Sequence, residues 1–171
     1  MSDKLGARQK DNRMTKCILI SLLFILLTFS FCTQKMKTYQ LDKKVQTLVD
    51  SLSQEKIVLM DDTKEIKKFQ ALLDVTSDKD LLYLTDHEKT VIRCYAFRGL
   101  AERNYIDIKE IFYKHLKDTA SIINYMTGTC LPLKVPVNDF MLDQLHSFGS
   151  KCKYKLDRTE YEKYAKLIHA R

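Results

Sequence analysis

The chain has 171 residues and a formal net charge of +7, with four glycines, two prolines and no tryptophan. This composition argues against a turn-rich β-sandwich and favours helices. The length beyond the first 32 residues suits one ordinary domain rather than two.

The positive charge is not evenly spread along the chain. Residues 1–16 carry five basic side chains against two acidic ones, and residues 17–31 carry no charge. In the remainder, lysines alternate with acidic residues, which is typical of a solvated surface. We therefore expect no nucleic-acid partner.

The N-terminal segment has the two parts of an export signal, a basic region and an apolar run. The uncharged run from Cys17 to Phe31 would extend about 22 Å as a helix, which is shorter than the roughly 30 Å core of a bilayer. Because the basic side stays in the cytoplasm, the rest of the chain is predicted to lie on the exported side of a membrane.

The end of this run, Leu27-Thr-Phe-Ser-Phe-Cys32, resembles a bacterial lipoprotein signal. The resemblance implies that Cys32 is acylated and serves as a lipid anchor in the cell envelope. Phe31 stands where that family has a small residue. The alternatives are an uncleaved signal anchor and ordinary signal cleavage, for which Ser30 and Cys32 supply a small-x-small pattern.

Helical periodicity dominates the exported part of the chain. Apolar residues at spacings of three and four predict helices over residues 41–52, 66–73, 79–85, 90–103, 108–116 and, after Asn138, up to about Leu145. Thr159 and Glu162 fit a capping box that opens a last helix. Proline, glycine and β-branched residues predict an irregular or extended segment at about 119–137.

These patterns divide the chain into three parts. Residues 1–32 are a signal peptide or membrane anchor segment, and residues 33–40 are a tether. Residues 41–171 form a single helical domain. The expected fold class is all-α, or mainly α.

One stretch, from Leu84 to Ala101, resembles a single unit of a HEAT-like helical repeat. The family's aliphatic-arginine pair is matched by Ile92 and Arg93, its small positions by Ala96 and Gly99, and its leucine by Leu100. Ile92, Ala96 and Leu100 lie along one stripe of a helix, where small side chains let a neighbouring helix approach. The fold is therefore either a short HEAT-like repeat or an irregular α-helical bundle.

The resemblance also implies a structural role for Arg93, which in HEAT-like units joins to acidic loop residues. Asp86 and Asp118 are the candidates here. Asp118 belongs to the phrase Leu116-Lys-Asp118, which repeats Leu84-Thr-Asp86 at a period typical of helical repeats.

No metal, cofactor or catalytic site is predicted. The loop Asp86-His87-Glu88 holds ligating side-chain types, but the sequence has no HExxH or CxxC spacing to complete a metal site. The histidines at positions 115, 146 and 169 are not accompanied by a nucleophile motif.

The cysteines of the exported part have different predicted roles. Cys94 follows Arg93 on an apolar helix and is expected to be a small buried residue. Cys130 and Cys152 lie in the less regular C-terminal region, where an oxidising compartment permits a disulfide between them.

These features predict a membrane-tethered protein-binding or scaffolding module of the cell envelope, held by its N-terminal segment. A set of aromatic residues (Tyr95, Tyr105, Tyr113 and Tyr125) either borders a peptide groove or belongs to the core. The alternative functions are a hydrolase-like envelope enzyme and a purely structural lipoprotein.

Overall fold

A computed structural model of the chain describes residues 39–55, 57–58, 64–125, 132–147 and 151–170. The predicted signal segment with Cys32, and most of the predicted tether, lie outside the described residues. Residues Gln40–Arg171 form one compact unit. Among the described helices, none has the length and apolar character needed to cross a membrane.

Helices account for most of the described chain, so the predicted mainly α class is confirmed. In chain order they are α1 (Lys43–Ser53), α2 (Lys64–Val75), α3 (Asp78–Leu84), α4 (Thr90–Glu102), α5 (Ile108–Lys114), α6 (Val137–Gln144) and α7 (Arg158–His169).

The segment expected to be irregular or extended contains two ordered strands. In the described part of the chain, β1 (Ile57–Val58), β2 (Ser121–Tyr125) and β3 (Pro132–Pro136) form a sheet in the order β1-β2-β3. The β1 strand is parallel to β2, and β3 is antiparallel to it. The cross-strand partners Ile122 and Val135 are buried, because alternate residues of a half-buried strand point into the core.

Helix α4 is the centre of the unit. It contacts α1, α3, α5, α6 and the strands β1 and β2. Ten of its thirteen residues are buried, including Ile92, Ala96 and Leu100 of the predicted stripe. A helix that is covered on every side has to be apolar around nearly its whole circumference. The buried surface of α4 is therefore wider than the single apolar stripe expected from the sequence.

The start of the last helix differs from the prediction. Its N-cap is Asp157, whose carboxylate accepts a hydrogen bond from the backbone N–H of Glu160. The predicted capping box of Thr159 and Glu162 is therefore wrong, and Glu162 instead pairs with Arg158 one turn earlier. Asp157, two residues upstream of Thr159, serves as the N-cap because its carboxylate carries a full charge at the positive end of the helix.

Two other helix starts show how local sequence sets the boundaries. Helix α3 opens with a capping box in which Ser77 and Asp80 satisfy each other's backbone N–H groups. Helix α6 begins at Val137, directly after the last residue of β3, and so starts slightly earlier than predicted. Pro136 is its N-cap residue and has the extended backbone of the strand.

An arginine holds the loop between α2 and α3 against the end of α4. The guanidinium of Arg103 donates to Asp78 and to the carbonyl oxygen of Thr76, each at 2.8 Å. Because these partners lie more than 20 residues away in sequence, the contact fixes the α2–α3 loop beside α4.

The tight packing at Gly99 gives a test of this arrangement. A methyl group added there would lie 2.6 Å from Leu73 and 3.2 Å from Leu81. We expect Gly99→Val to lower the free energy of unfolding by about 1–3 kcal/mol, because a branched side chain cannot avoid both leucines. Gly99→Ala should stay within about 1 kcal/mol of the parent, because its clash is with the end of a leucine side chain and alanine favours the helix. Urea denaturation followed by circular dichroism measures both, and equal stability of the valine variant and the parent would contradict the packing.

Candidate functional site

The guanidinium of Arg93 is fully engaged in structural contacts. Its Nε and Nη2 atoms donate to the two carboxylate oxygens of Asp118 at 2.8 and 3.1 Å. Its Nη1 atom donates to the carbonyl oxygens of His87 and Glu88 at 2.8 and 3.1 Å. Of the two aspartates considered for Arg93, Asp118 is therefore the one it binds. The arginine ties the α3–α4 loop to Asp118, in the segment between α5 and β2.

Asp86 belongs to the same region but has a different partner. Its carboxylate binds Lys114, and it also lies 3.5 Å from Nε2 of the buried side chain of His115. The other ring nitrogen of His115 lies 3.9 Å from Asp118. Burial lowers the pKa of His115 despite these two carboxylates. Because each carboxylate is already neutralised by Lys114 or Arg93, the cluster acts as a structural ion network.

A second polar cluster fastens α7 to α6. Tyr161 donates to Asp143 at 3.1 Å, and Nε2 of His169 lies 3.0 Å from Asp139. The ring of His146 packs edge-on against Tyr161. Burial raises the pKa of the Asp143 carboxyl. Within the described ranges, no group of three or more histidines, cysteines or acids is arranged to hold a metal ion.

The cysteines that the structure describes are both in buried positions. Cys94 is enclosed in α4, where burial raises the pKa of its thiol. Cys152 is also buried, and its Sγ atom lies 3.0 Å from the carbonyl oxygen of Tyr154. Cys130 lies outside the described residues, so its pairing with Cys152 stays a prediction.

The tyrosines considered for a groove lie mainly in the core. Tyr95 is fully buried and stacks on Phe69. Tyr105 and Tyr113 are half-buried and pack against the core. The side chain of Tyr125 lies outside the described part. Of the two roles considered for these tyrosines, the described ones therefore have the role of core residues.

A cavity of about 530 Å³ opens beside the sheet, and we call it the sheet cavity. Its walls come from the end of α1, the start of α4, and strands β2 and β3. The described residues that define it include Ser53, Lys89, Val91, Ser121, Ile123 and Lys134. Its volume lies within the roughly 300–1,000 Å³ typical of ligand-binding pockets.

The strand pattern explains why a cavity forms here. Ile122 and Val135 are buried, so the neighbouring cross-strand pair of Ile123 and Lys134 belongs to the opposite face of the hairpin. Ile123 is only half-buried, and Lys134 is exposed. That face is therefore open enough to accept another molecule.

The sequence did not predict this cavity. Its walls are brought together from positions 53 to 134, and no short motif connects them. The sequence does contain a signal for the two strands. Residues 121–125 are rich in β-branched and aromatic side chains, and a segment that contains Gly128 separates them from residues 132–136. That pattern is compatible with a hairpin, but the pairing of Lys134 with Ile123 is seen only in the structure.

Comparisons of the chain with protein-family models, with curated proteins and with solved structures found no match. The sheet cavity and the polar clusters are thus the features from which a function can be proposed.

The Arg93 contacts predict a large effect of a small substitution. We expect Arg93→Lys to lower the free energy of unfolding by about 2–4 kcal/mol, because an ammonium group cannot keep both the bidentate pairing and the two carbonyl contacts. Arg158→Lys is the matched control, since the Arg158 side chain is 92% exposed and should leave stability unchanged. Chemical denaturation of both variants is the measurement, and equal losses would contradict the structural role of Arg93.

Burial of His115 predicts a dependence of stability on pH. Its folded-state pKa is lowered from the usual 6.5, so near that pH the unfolded chain takes up a proton that the folded chain does not. Stability should therefore fall as the pH drops from about 7 to 5. The pKa of His87 is also lowered by burial, so His115→Gln should reduce this slope without abolishing it. Urea midpoints measured across that pH range are the test, and an unchanged slope in the variant would contradict it.

Proposed function

We propose that this chain is a membrane-tethered protein-binding module of the bacterial cell envelope, and that the sheet cavity is its binding site. The observation that carries the proposal is the cavity itself, which combines an apolar floor with a polar rim. Val91 and Ile123 contribute apolar surface, whereas Ser53, Lys89 and Lys134 contribute polar groups. Sites that bind ligands usually combine these two kinds of surface.

The surroundings of the cavity suit an extended segment of another protein. Two strands form one wall, and β3 is an edge strand of the described sheet. Extended peptides bind along sheets by pairing with backbone groups and by placing alternate side chains in pockets.

The membrane part of the proposal rests on the sequence. The apolar run before Cys32 supports an anchor, and acylation of Cys32 is the form we favour. Eight residues of tether, 33–40, reach at most about 29 Å when fully extended. Such a tether would keep the binding domain close to the membrane surface.

Helices α3 and α4 are the part of the fold that we propose as a HEAT-like unit. These two helices pack against each other, and Gly99 of α4 allows a close approach to Leu81 of α3. This contact supports the proposal that they form one HEAT-like unit within a larger helical fold. Solenoid surfaces of this type commonly bind extended partners.

The geometry favours binding over hydrolysis. The described residues that line the cavity include no histidine or cysteine, and its carboxylate, Glu55, is held by Lys68 at 2.6 Å. A general base needs a carboxylate or imidazole that can reach the substrate. No observation favours a purely structural lipoprotein over a binding module.

Site-directed crosslinking in cells tests the proposal. A photoreactive amino acid at Ser53, which lines the cavity at the end of α1, should form a discrete crosslink to another protein in the membrane fraction. Ser121 lines the cavity and is exposed, so Ser121→Trp should fill the cavity and reduce the crosslink by roughly tenfold or more. Tryptophan is well accepted in strands, so folding should be preserved.

Two controls accompany this experiment. Ser121→Thr keeps the cavity open and should leave the crosslink intact. Cys32→Ser should remove the acyl anchor and change the partition of the chain into detergent. An undiminished crosslink in the tryptophan variant, or recovery of the full-length parent wholly in the cytosol, would overturn the proposal.

A further inference from the structure

Positive charge dominates the described rim of the sheet cavity. Lys134 is exposed on β3, and Lys89 stands at the start of α4 with 56% of its side chain exposed. The carboxylate of Glu55 also lines the cavity, but Lys68 neutralises it through a 2.6 Å contact. Lys89 lies 3.6 Å from the exposed carboxylate of Glu88, and exposed pairs of this kind are weak. An anionic group entering the cavity would therefore meet two cations that it can bind.

The geometry points to an acidic, extended segment of the partner protein as the occupant of the sheet cavity. This inference rests on the proposed function, because it specifies the chemistry of the bound partner. The two lysines come from different walls, one from the start of α4 and the other from β3. A carboxylate held between them would be bonded by cations from both sides, and charge-assisted hydrogen bonds are the stronger kind.

The start of α4 adds to this preference for negative charge. The helix has thirteen residues, and its positive dipole end lies at Thr90 and Val91, both of which line the cavity. The N-cap residue is Lys89, which provides no side-chain acceptor for the first backbone N–H groups. The dipole and the two lysines therefore act in the same direction.

The apolar floor sets the second requirement. Val91 is already buried, but Ile123 is only half-buried, so an apolar side chain of the partner would gain by covering the exposed part of Ile123. Successive side chains of an extended peptide point to opposite sides, so an acidic and an apolar side chain that both face the cavity lie two positions apart in the segment. A bare phosphate or a lipid headgroup satisfies the lysines but leaves the floor uncovered, which is why we commit to a peptide.

Fluorescence anisotropy with two labelled peptides tests the inference on the full-length chain in mild detergent. One peptide has glutamate and valine by turns at every second position, with serine between them, and the other has glutamine at every glutamate position. The parent should bind the acidic peptide at least about tenfold more tightly than its glutamine counterpart, and this difference should shrink as salt is raised.

Charge reversal locates the effect. The double variant Lys89→Glu and Lys134→Glu should lose the preference for the acidic peptide. Lys153→Glu is the matched control, because Lys153 is also exposed but does not line the cavity; it should keep the preference. The double variant Lys89→Gln and Lys134→Gln gives the same comparison without new negative charge, and circular dichroism checks that every variant folds.

Three results would overturn the inference: equal affinity of the parent for both peptides, no binding of the acidic peptide at concentrations up to about 1 mM, or a preference that persists in both double variants. Competition of inorganic phosphate as strong as that of the acidic peptide would also overturn it, since the floor would then contribute nothing. The crosslink of the proposed function is independent of these outcomes. If Ser121→Trp abolishes that crosslink while both peptides bind equally, the cavity remains a protein-binding site of another chemistry. If the crosslink is unaffected, the proposed function fails as well.

Discussion

The described unit depends on the burial of α4 from every direction. The helix is surrounded by other helices and by the sheet, and its apolar side chains fill the space between them. Removal of that much apolar surface from water is the largest favourable contribution to folding. The charged groups near its ends are then used to hold the flanking loops. Arg93 binds the loop before α4 and Asp118 in the segment after α5, while Arg103 binds the loop between α2 and α3.

This arrangement explains why the polar residues that stand out in the sequence contribute to structure. Asp86 and His87 are next to each other in a loop, which is also how metal ligands and catalytic groups occur. In the fold, Asp86 binds Lys114, and the carbonyl oxygen of His87 accepts a hydrogen bond from Arg93. Asp86 thus forms a half-exposed ion pair, and His87 is bound through its backbone. The candidate binding surface lies instead where exposed lysines surround apolar side chains.

The sequence predicted the helices well because their signals are local. Apolar spacing located α1 to α5, and the aliphatic-arginine pair identified the start of α4, where Ile92 is buried and Arg93 joins a distant aspartate. Hydrophobic periodicity and helix propensity act over a few residues, so they can be recognised in one sequence.

The features that the sequence did not predict depend on contacts between residues far apart in sequence, or on the choice between two residues that suit the same position. Asp157 and Thr159 are both good N-cap residues, and only the structure shows that the aspartate is used. β2 pairs with β3 across a short connection, but its pairing with the much earlier β1 depends on a partner far along the chain. The sheet cavity arises from the same long-range pairing, so neither Lys89 nor Lys134 could be recognised as part of a common site.

The direct junction between β3 and α6 has a consequence for any molecule that binds at Lys134. The strand passes into the helix at Pro136 with no intervening loop, and α6 is anchored by the buried side chains of Phe140 and Met141. This wall of the cavity is therefore rigid before a partner arrives. Little conformational entropy is lost on its side of the interface, so even a short peptide with few contacts can be held in a defined orientation.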